Sequence, residues 1–310
     1  MQPQAISLIG SYSSRVEKGR YTCGMNAESP VRIKVGEVSL AVEDHGEGVP
    51  VILLHGFPLS SQMWLPLRAA IEEAARLITP DLRGFGASDK PAGSYGMDVF
   101  AADVVELADV LGLDRFVLGG HSMGGYVALR IAATCPERLL GLILVDSKAE
   151  ADGADARARR DAAIARIERG EAQAFRDEFV AALVAPGTRL RAPRQLEEMR
   201  ALAAEIPDHV LVGCLAGMRD RIDSTELLVR LTVPALVIVG EHDALTPPAV
   251  AQAMASALQA SELEVIPAAG HVPSVECPVA TAEAMLGFLR RHFPSARWAP
   301  PVHGAPAAGA

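Results

Sequence analysis

Three side chains far apart in the chain carry the strongest chemical signal: Ser122, Asp243 and His271. Ser122 stands in GGHSMGG (119–125), between an apolar run that reads as a strand and a stretch that reads as a helix. A strand-to-helix turn this sharp crowds the backbone, so flanking glycines relieve the clash and lift the serine above the sheet. The Met123 N–H then points from a helix N-terminus to where an oxyanion would form. A serine alcohol is a poor nucleophile and needs a base, itself oriented by a carboxylate. His271, in AAGHVPSVECP (268–278), sits after a strand and before the last helix, where an imidazole can swing over the sheet edge. Asp243, in VIVGEHDALTPP (237–248), directly follows the preceding strand, while Asp146 ends LLGLILVD (139–146) and is the rival carboxylate.

HGFPLS (55–60) follows another apolar run, and Phe57 N–H is the natural second oxyanion donor. Gly56 permits close backbone approach, Pro58 has no N–H to offer, and His55 reads as a structural histidine of the loop. DLRGFGASD (81–89) reads as a glycine-rich, salt-bridged turn that supports the site. His242 beside Asp243 suggests a metal only weakly, because no second histidine stands at helical spacing; metal and cofactor are both expected to be none. No phosphate-binding loop or dinucleotide fingerprint is present in the chain.

The elements that must position these residues follow from hydrophobic periodicity. VRIKV and VSLAVED alternate around Gly36-Glu37, which predicts a hairpin. Runs at 51–55, 76–81, 116–120, 139–146, 235–240 and 263–267 read as strands, the more continuous of them buried on both faces. Helices are predicted at 62–75, 97–111, 123–134, 248–258 and 278–292. Strands alternating with helices argue a parallel sheet covered on both sides. Between about 147 and 229 the strands stop and four amphipathic helices follow, parted by Gly170, Pro186-Gly187 and Pro207. This predicts one core, 31–146 and 230–293, interrupted by a helical cap at 147–229. Residues 1–30 read as a loose extension and 294–310 as a disordered tail. Phe175, Phe179, Met199, Leu215 and Met218 are apolar cap residues that could face a substrate pocket.

The composition narrows the partners. There are 29 basic and 38 acidic residues, a net charge of −9. Nucleic acid and anionic membranes are therefore not expected partners, since both call for a basic patch. The same charge leans toward neutral esters over polyanionic ones. Four cysteines (Cys23, Cys135, Cys214, Cys277) lie far apart and read as buried free thiols. No apolar run reaches the ~18–20 residues of a membrane span. The basic residues of the N-terminus follow its short apolar stretch, the reverse of a secretory signal. A soluble, cytoplasmic protein is the default expectation, and nothing in the sequence assigns an oligomeric state.

The HGFP loop, the DLRGFGASD turn, the GHSMGG elbow, GEHD…TPP and the late GH loop occur in an order that resembles the α/β-hydrolase superfamily over about residues 31–292. Small carboxylesterases, enol-lactonases and cofactor-free haloperoxidase-like members are the most similar in these motifs. The resemblance implies a mostly parallel eight-stranded sheet flanked by helices, with a cap after the sixth strand. Serine at 122 argues against the dehalogenases and epoxide hydrolases of this fold, which use aspartate there. The expected activity is hydrolysis of a small-molecule carboxylic ester through an acyl-enzyme on Ser122, with His271 as base, Asp243 as its partner, and Phe57 and Met123 N–H groups as the oxyanion hole. A lactonase or perhydrolase/haloperoxidase-like activity would use the same residues. A slow-turnover small-molecule receptor would keep them too, and turnover far below ~1 s⁻¹ with tight binding would mark it.

Overall fold

A computed structural model describes residues 30–294; the expected N-terminal extension and C-terminal tail lie outside the described residues, apart from their innermost positions. Eight strands form one sheet in the order β1-β2-β4-β3-β5-β6-β7-β8. The hairpin β1 (Val31–Val35) and β2 (Val38–His45) is antiparallel, with Gly36 at the turn in the left-handed region, φ 50°. β2 also pairs antiparallel with β4 (Ala75–Pro80). From β4 across the sheet every pairing is parallel: β3 (Val49–Leu54), β5 (Phe116–His121), β6 (Leu139–Val145), β7 (Ala235–Gly240) and β8 (Ser261–Ile266). β3, β4, β5 and β7 are buried along their whole length, which is why β3 and β7 are continuous apolar runs, while β4 and β5 bury Arg76 and His121 as well. The edge strand β8 is polar and half-exposed instead.

Helices cover both faces. α2 (Met97–Val110), α3 (Met123–Thr134) and α10 (Pro248–Ala257) pack with Ile52, Leu118 and Val237 on one side. α1 (Leu65–Ile71) and α12 (Pro278–His292) pack with Leu53, Val117 and Leu236 on the other. Alternate residues of each central strand thus feed two separate apolar clusters, as period-two geometry requires. The crossover runs from β3 to β4 on one side and then to β5 on the other side of β3. A crevice opens at such a reversal, beyond the carboxyl ends of the strands. The loop after β3 and the turn after β5 are its two walls.

Between β6 and β7 the chain forms α4 (Ala154–Arg166), α5 (Ala172–Leu183), α6 (Pro186–Arg191), α7 (Pro193–Ala204), α8 (Asp208–Arg219) and α9 (Thr225–Leu228). A π-turn at Ile167–Glu171 joins α4 to α5, with Gly170 at φ 89°. Sequence periodicity missed α6 and α9. Both are too short to show a period, and Pro186 begins a helix where it reads as a break, because proline fits the first helical turn. α11 (Pro273–Glu276) escaped for the same reason. No single helix among the described residues is long and apolar enough to cross a membrane. Cys214 is buried, but Cys135 and Cys277 are only half-buried, less than the composition suggested; all three are free thiols.

One buried carboxylate ties the start of the insertion to α4 and to the Arg221 that reaches the core. Asp152 accepts from Arg160, from Arg221 at 2.8 Å and from Lys148 at 3.2 Å. Arg221 also lies over the Tyr126 ring of α3, 4.2 Å from its centroid. Burial opposes ionisation of Asp152, but Arg160 and Arg221 outweigh it and lower its pKa to about 2. A depressed folded-state pKa contributes stability above the ordinary value of 3.8, and that contribution is lost as pH falls toward 2. Asp152→Asn is therefore expected to melt below the wild type at neutral pH, with the difference shrinking between pH 4 and pH 2 in thermal scans. An unchanged difference across that window contradicts the assignment.

Candidate active site

Ser122 follows β5 without a spacer and adopts φ 50°, ψ −112°. Such a conformation is strained for a residue with a side chain and persists only where neighbours over-determine it. The Ser122 N–H donates to Val145 O of β6 at 2.9 Å, and the Ser122 carbonyl accepts from Ser147 Oγ at 2.9 Å. Gly124 lets the start of α3 press against the end of β3: a Cβ there would lie 2.5 Å from Leu54 O and 2.7 Å from His55 O. Ser122, alone of Ser122, Asp243 and His271, keeps partial exposure.

His271 Nε2 lies 2.9 Å from Ser122 Oγ, and His271 Nδ1 lies 2.8 Å from Asp243 Oδ2. Nδ1–H donates to the carboxylate, so Nε2 presents its lone pair to the serine O–H. Asp243 is 4% exposed. Burial alone would raise its pKa, but His271 and the hydrogen bonds it accepts outweigh burial and hold it well below the usual carboxylate range. Those bonds come from Leu245 N–H at 2.8 Å, Thr246 N–H at 3.1 Å and Thr246 O–H at 2.6 Å. Asp146 does not bond the imidazole. It lies beside Asp243, a carboxyl oxygen of each within 4.8 Å of the other, and accepts from Gly240 N–H at 2.9 Å. Donor atoms of Asp146, Asp243 and His271 fall within 4.8 Å of one another, a set whose types could hold a cation. Here protons occupy the positions a cation would need: both Asp243 oxygens accept hydrogen bonds and Nδ1 is a donor.

The loop after β3 completes the wall opposite Ser122. His55 is fully buried; its Nε2 accepts from Leu82 N–H at 3.0 Å and its Nδ1–H faces Gly56 O at 3.1 Å, so it ties the 55–60 loop to the 81–89 turn. In that turn Asp81 accepts from Ser61 and Ala87 N–H groups, both at 2.8 Å, and Arg83 pairs with both oxygens of Asp103. The Phe57–Pro58 bond is cis. Neither Phe57 N–H nor Met123 N–H donates to an acceptor among the described residues. Two free donors beside a serine hydroxyl are an arrangement that can stabilise an oxyanion.

Residues 49–278 match the family model described as alpha/beta hydrolase fold. The chain belongs to the α/β-hydrolase family. An esterase structure from Thermogutta terrifontis is similar over 86% of this chain and 100% of its own, at 39% identity and a TM-score of 0.82. A putative carbamate hydrolase of Variovorax paradoxus is 30% identical over 81% of this chain and 96% of its own. The dihydrolipoyllysine-residue acetyltransferase component of the Pseudomonas putida acetoin cleaving system is 32% identical over 79% of this chain; the match spans 64% of that protein's length. This chain is an enzyme of the α/β-hydrolase family.

Within this α/β-hydrolase the five expected pocket residues do not share one wall. Phe175 and Phe179 of α5 meet Phe57, with ring centroids 6.5 Å and 5.4 Å away. Leu215 and Met218 of α8 pack in the cluster around α3, whereas Met199 of α7 packs in the opposite one with Leu183 and Val184. A cavity of about 900 Å³ lies on the flank between α3 and the α8–α9 segment, lined by Tyr95, Tyr126, Arg130 and Arg221 among others. Its lining includes none of these five, nor Ser122, Asp243 or His271.

Two neighbours that hold the His271 loop escaped the sequence reading. His121, the variable residue inside the elbow, is fully buried, and its Nε2–H donates to His271 O at 2.5 Å. Burial, with His271 beside it, lowers its pKa to about 3, so it stays neutral. Its ring also explains Gly56, where a Cβ would come 2.2 Å from His121 Nδ1. Glu276 accepts from Gly270 N–H at 2.8 Å through one oxygen, and from Ala185 N–H at 2.8 Å and Thr188 O–H at 2.6 Å through the other. His271 N–H itself donates to Leu183 O at 2.7 Å. The loop carrying the imidazole is thus bonded to the end of α5 on both sides of His271. Glu276→Ala is expected to leave the fold intact by circular dichroism while slowing fluorophosphonate labelling of Ser122 by up to about a hundredfold, the cost of a small misplacement. Labelling at the wild-type rate contradicts this role.

Proposed function

We propose that this enzyme hydrolyses carboxylic esters through an acyl-enzyme on Ser122. The observation that carries the reading is the unbroken hydrogen-bond chain Ser122 Oγ–His271–Asp243, at 2.9 and 2.8 Å. Ser122 Oγ attacks the ester carbonyl while His271 Nε2 takes its proton, and Asp243 stabilises the imidazolium that forms. Phe57 and Met123 N–H groups receive the oxyanion. His271 returns the proton to the departing alcohol, and water then releases the acid by the same route. The esterase from Thermogutta terrifontis supports the ester reading over the other chemistries that share these groups. No step calls for a cofactor.

Phe57, Phe175 and Phe179 crowd the space above the 55–60 loop, which favours short acyl groups. The overall charge of −9 favours neutral esters over polyanionic ones.

Initial rates on p-nitrophenyl esters from acetate upward test the reading. Ser122→Ala is expected to keep its melting temperature and lower kcat by about four to six orders of magnitude; undiminished hydrolysis contradicts it. Lactones, a carbamate, and acetate with hydrogen peroxide belong in the same panel. Faster turnover of any of these than of every linear ester overturns the ester assignment. Phe179→Ala is expected to shift the optimum toward longer acyl chains, raising kcat/KM for octanoate relative to acetate roughly tenfold, about the discrimination that one or two methylenes provide. An unmoved chain-length profile places that ring outside the acyl path.

A further inference from the structure

Asp146 is 1% exposed and stands directly after β6 with φ 44°, a left-handed backbone that a side chain seldom adopts. Its neighbours specify that position from two sides. Its N–H donates to Ile238 O at 2.9 Å and its Oδ1 accepts from Gly240 N–H at 2.9 Å, both on β7. Its other oxygen, Oδ2, is buried and accepts from no donor among the described residues. A buried, unpaired carboxylate oxygen is costly, whereas a carboxylic acid O–H needs only an acceptor. The acceptor is at hand in Asp243, a carboxyl oxygen of which lies within 4.8 Å of one of Asp146. Two buried carboxylates this close do not both keep their charge out of water, so one of the pair holds a proton. Asp243 already accepts from two backbone N–H groups, the Thr246 hydroxyl and His271. It is the better-solvated anion, and the proton belongs to Asp146.

We propose that Asp146 is a neutral carboxylic acid that donates its O–H to Asp243, a positioning residue that moderates the charge seen by His271. The charged and titratable groups facing it agree. Asp243 lies on the loop after β7, His271 and Glu276 on the segment before α12, and the neutral His121 at the end of β5. Burial first and Asp243 second push the Asp146 carboxyl well above the usual range. The O–H dipole points its positive end at Asp243, so it opposes protonation of His271.

This inference rests on the ester-hydrolase reading for its catalytic meaning, but its test does not. Titration of the His271 ring by NMR is compared in wild type, Asp146→Ala and Asp146→Asn, with thermal melts as folding controls. Asn tolerates the left-handed backbone and keeps a neutral N–H donor. The His271 midpoint is expected to rise by about one pH unit in Asp146→Ala, the scale of one charge-assisted hydrogen bond, and to stay near wild type in Asp146→Asn. The acid limb of the kcat/KM profile should move with it. A fall of the midpoint in both variants would identify Asp146 as an anion and overturn the proposal. A midpoint that moves in neither variant would reduce Asp146 to a packing role and also overturn it. Where Asp146→Ala does not fold, Asp146→Asn alone decides between neutral acid and anion. Failure of the ester reading shows as absence of ester turnover while these midpoints still move as stated.

Discussion

The buried negative charge of Asp243 is the constraint around which the site is built. At 4% exposure a carboxylate survives only with full hydrogen bonding, and here backbone N–H groups, a hydroxyl and an imidazole supply it. That charge fixes the tautomer of His271, because Nδ1 must carry the proton facing it. The tautomer in turn leaves a lone pair at Nε2, 2.9 Å from the serine hydroxyl. Each step is local, and each depends on the charge at the end of the chain.

Sheet register explains why three residues separated by up to 149 positions meet. His121 pairs across β5–β6 with Val145, and Val145 across β6–β7 with Ile238, so the carboxyl ends of these strands rise to one level. Ser122, Asp146 and the Asp243 loop therefore leave the sheet on the same side. The reversal of strand order at β3 opens the crevice beside them, and the 55–60 loop with its free Phe57 N–H forms the opposite rim. The inserted helices close the arrangement from outside. Leu183 O holds the His271 backbone, and Glu276 holds Gly270 and the end of α5 together. A shift of α5 is thereby a shift of the loop that carries His271.

Much of this was legible in the residue order. Continuous apolar runs mark the central strands because both their faces are covered, and GGHSMGG marks the elbow because only glycine tolerates the contacts at 120 and 124. Both Asp243 and Asp146 stand at strand ends and read as the possible carboxylate, Asp243 ahead of Asp146, and the structure gives the imidazole bond to Asp243. What stayed hidden acts through the backbone or across long separations. His121 touches a carbonyl 150 residues away, and Glu276 binds N–H groups at 185 and 270; no local pattern encodes either. The scattering of Met199 away from Leu215 and Met218 was equally invisible, since helical periodicity tells which face is apolar but not which neighbour it meets.

The central claim is that Ser122 becomes acylated during turnover. Rapid quench of the enzyme with p-nitrophenyl acetate, followed by peptide mass analysis, tests it most directly. The account predicts a burst of p-nitrophenol approaching one equivalent when deacylation is the slower step, and an acetyl adduct on the peptide carrying Ser122. Steady hydrolysis with no adduct under conditions that trap acyl-enzymes, or an adduct on another residue, would contradict it.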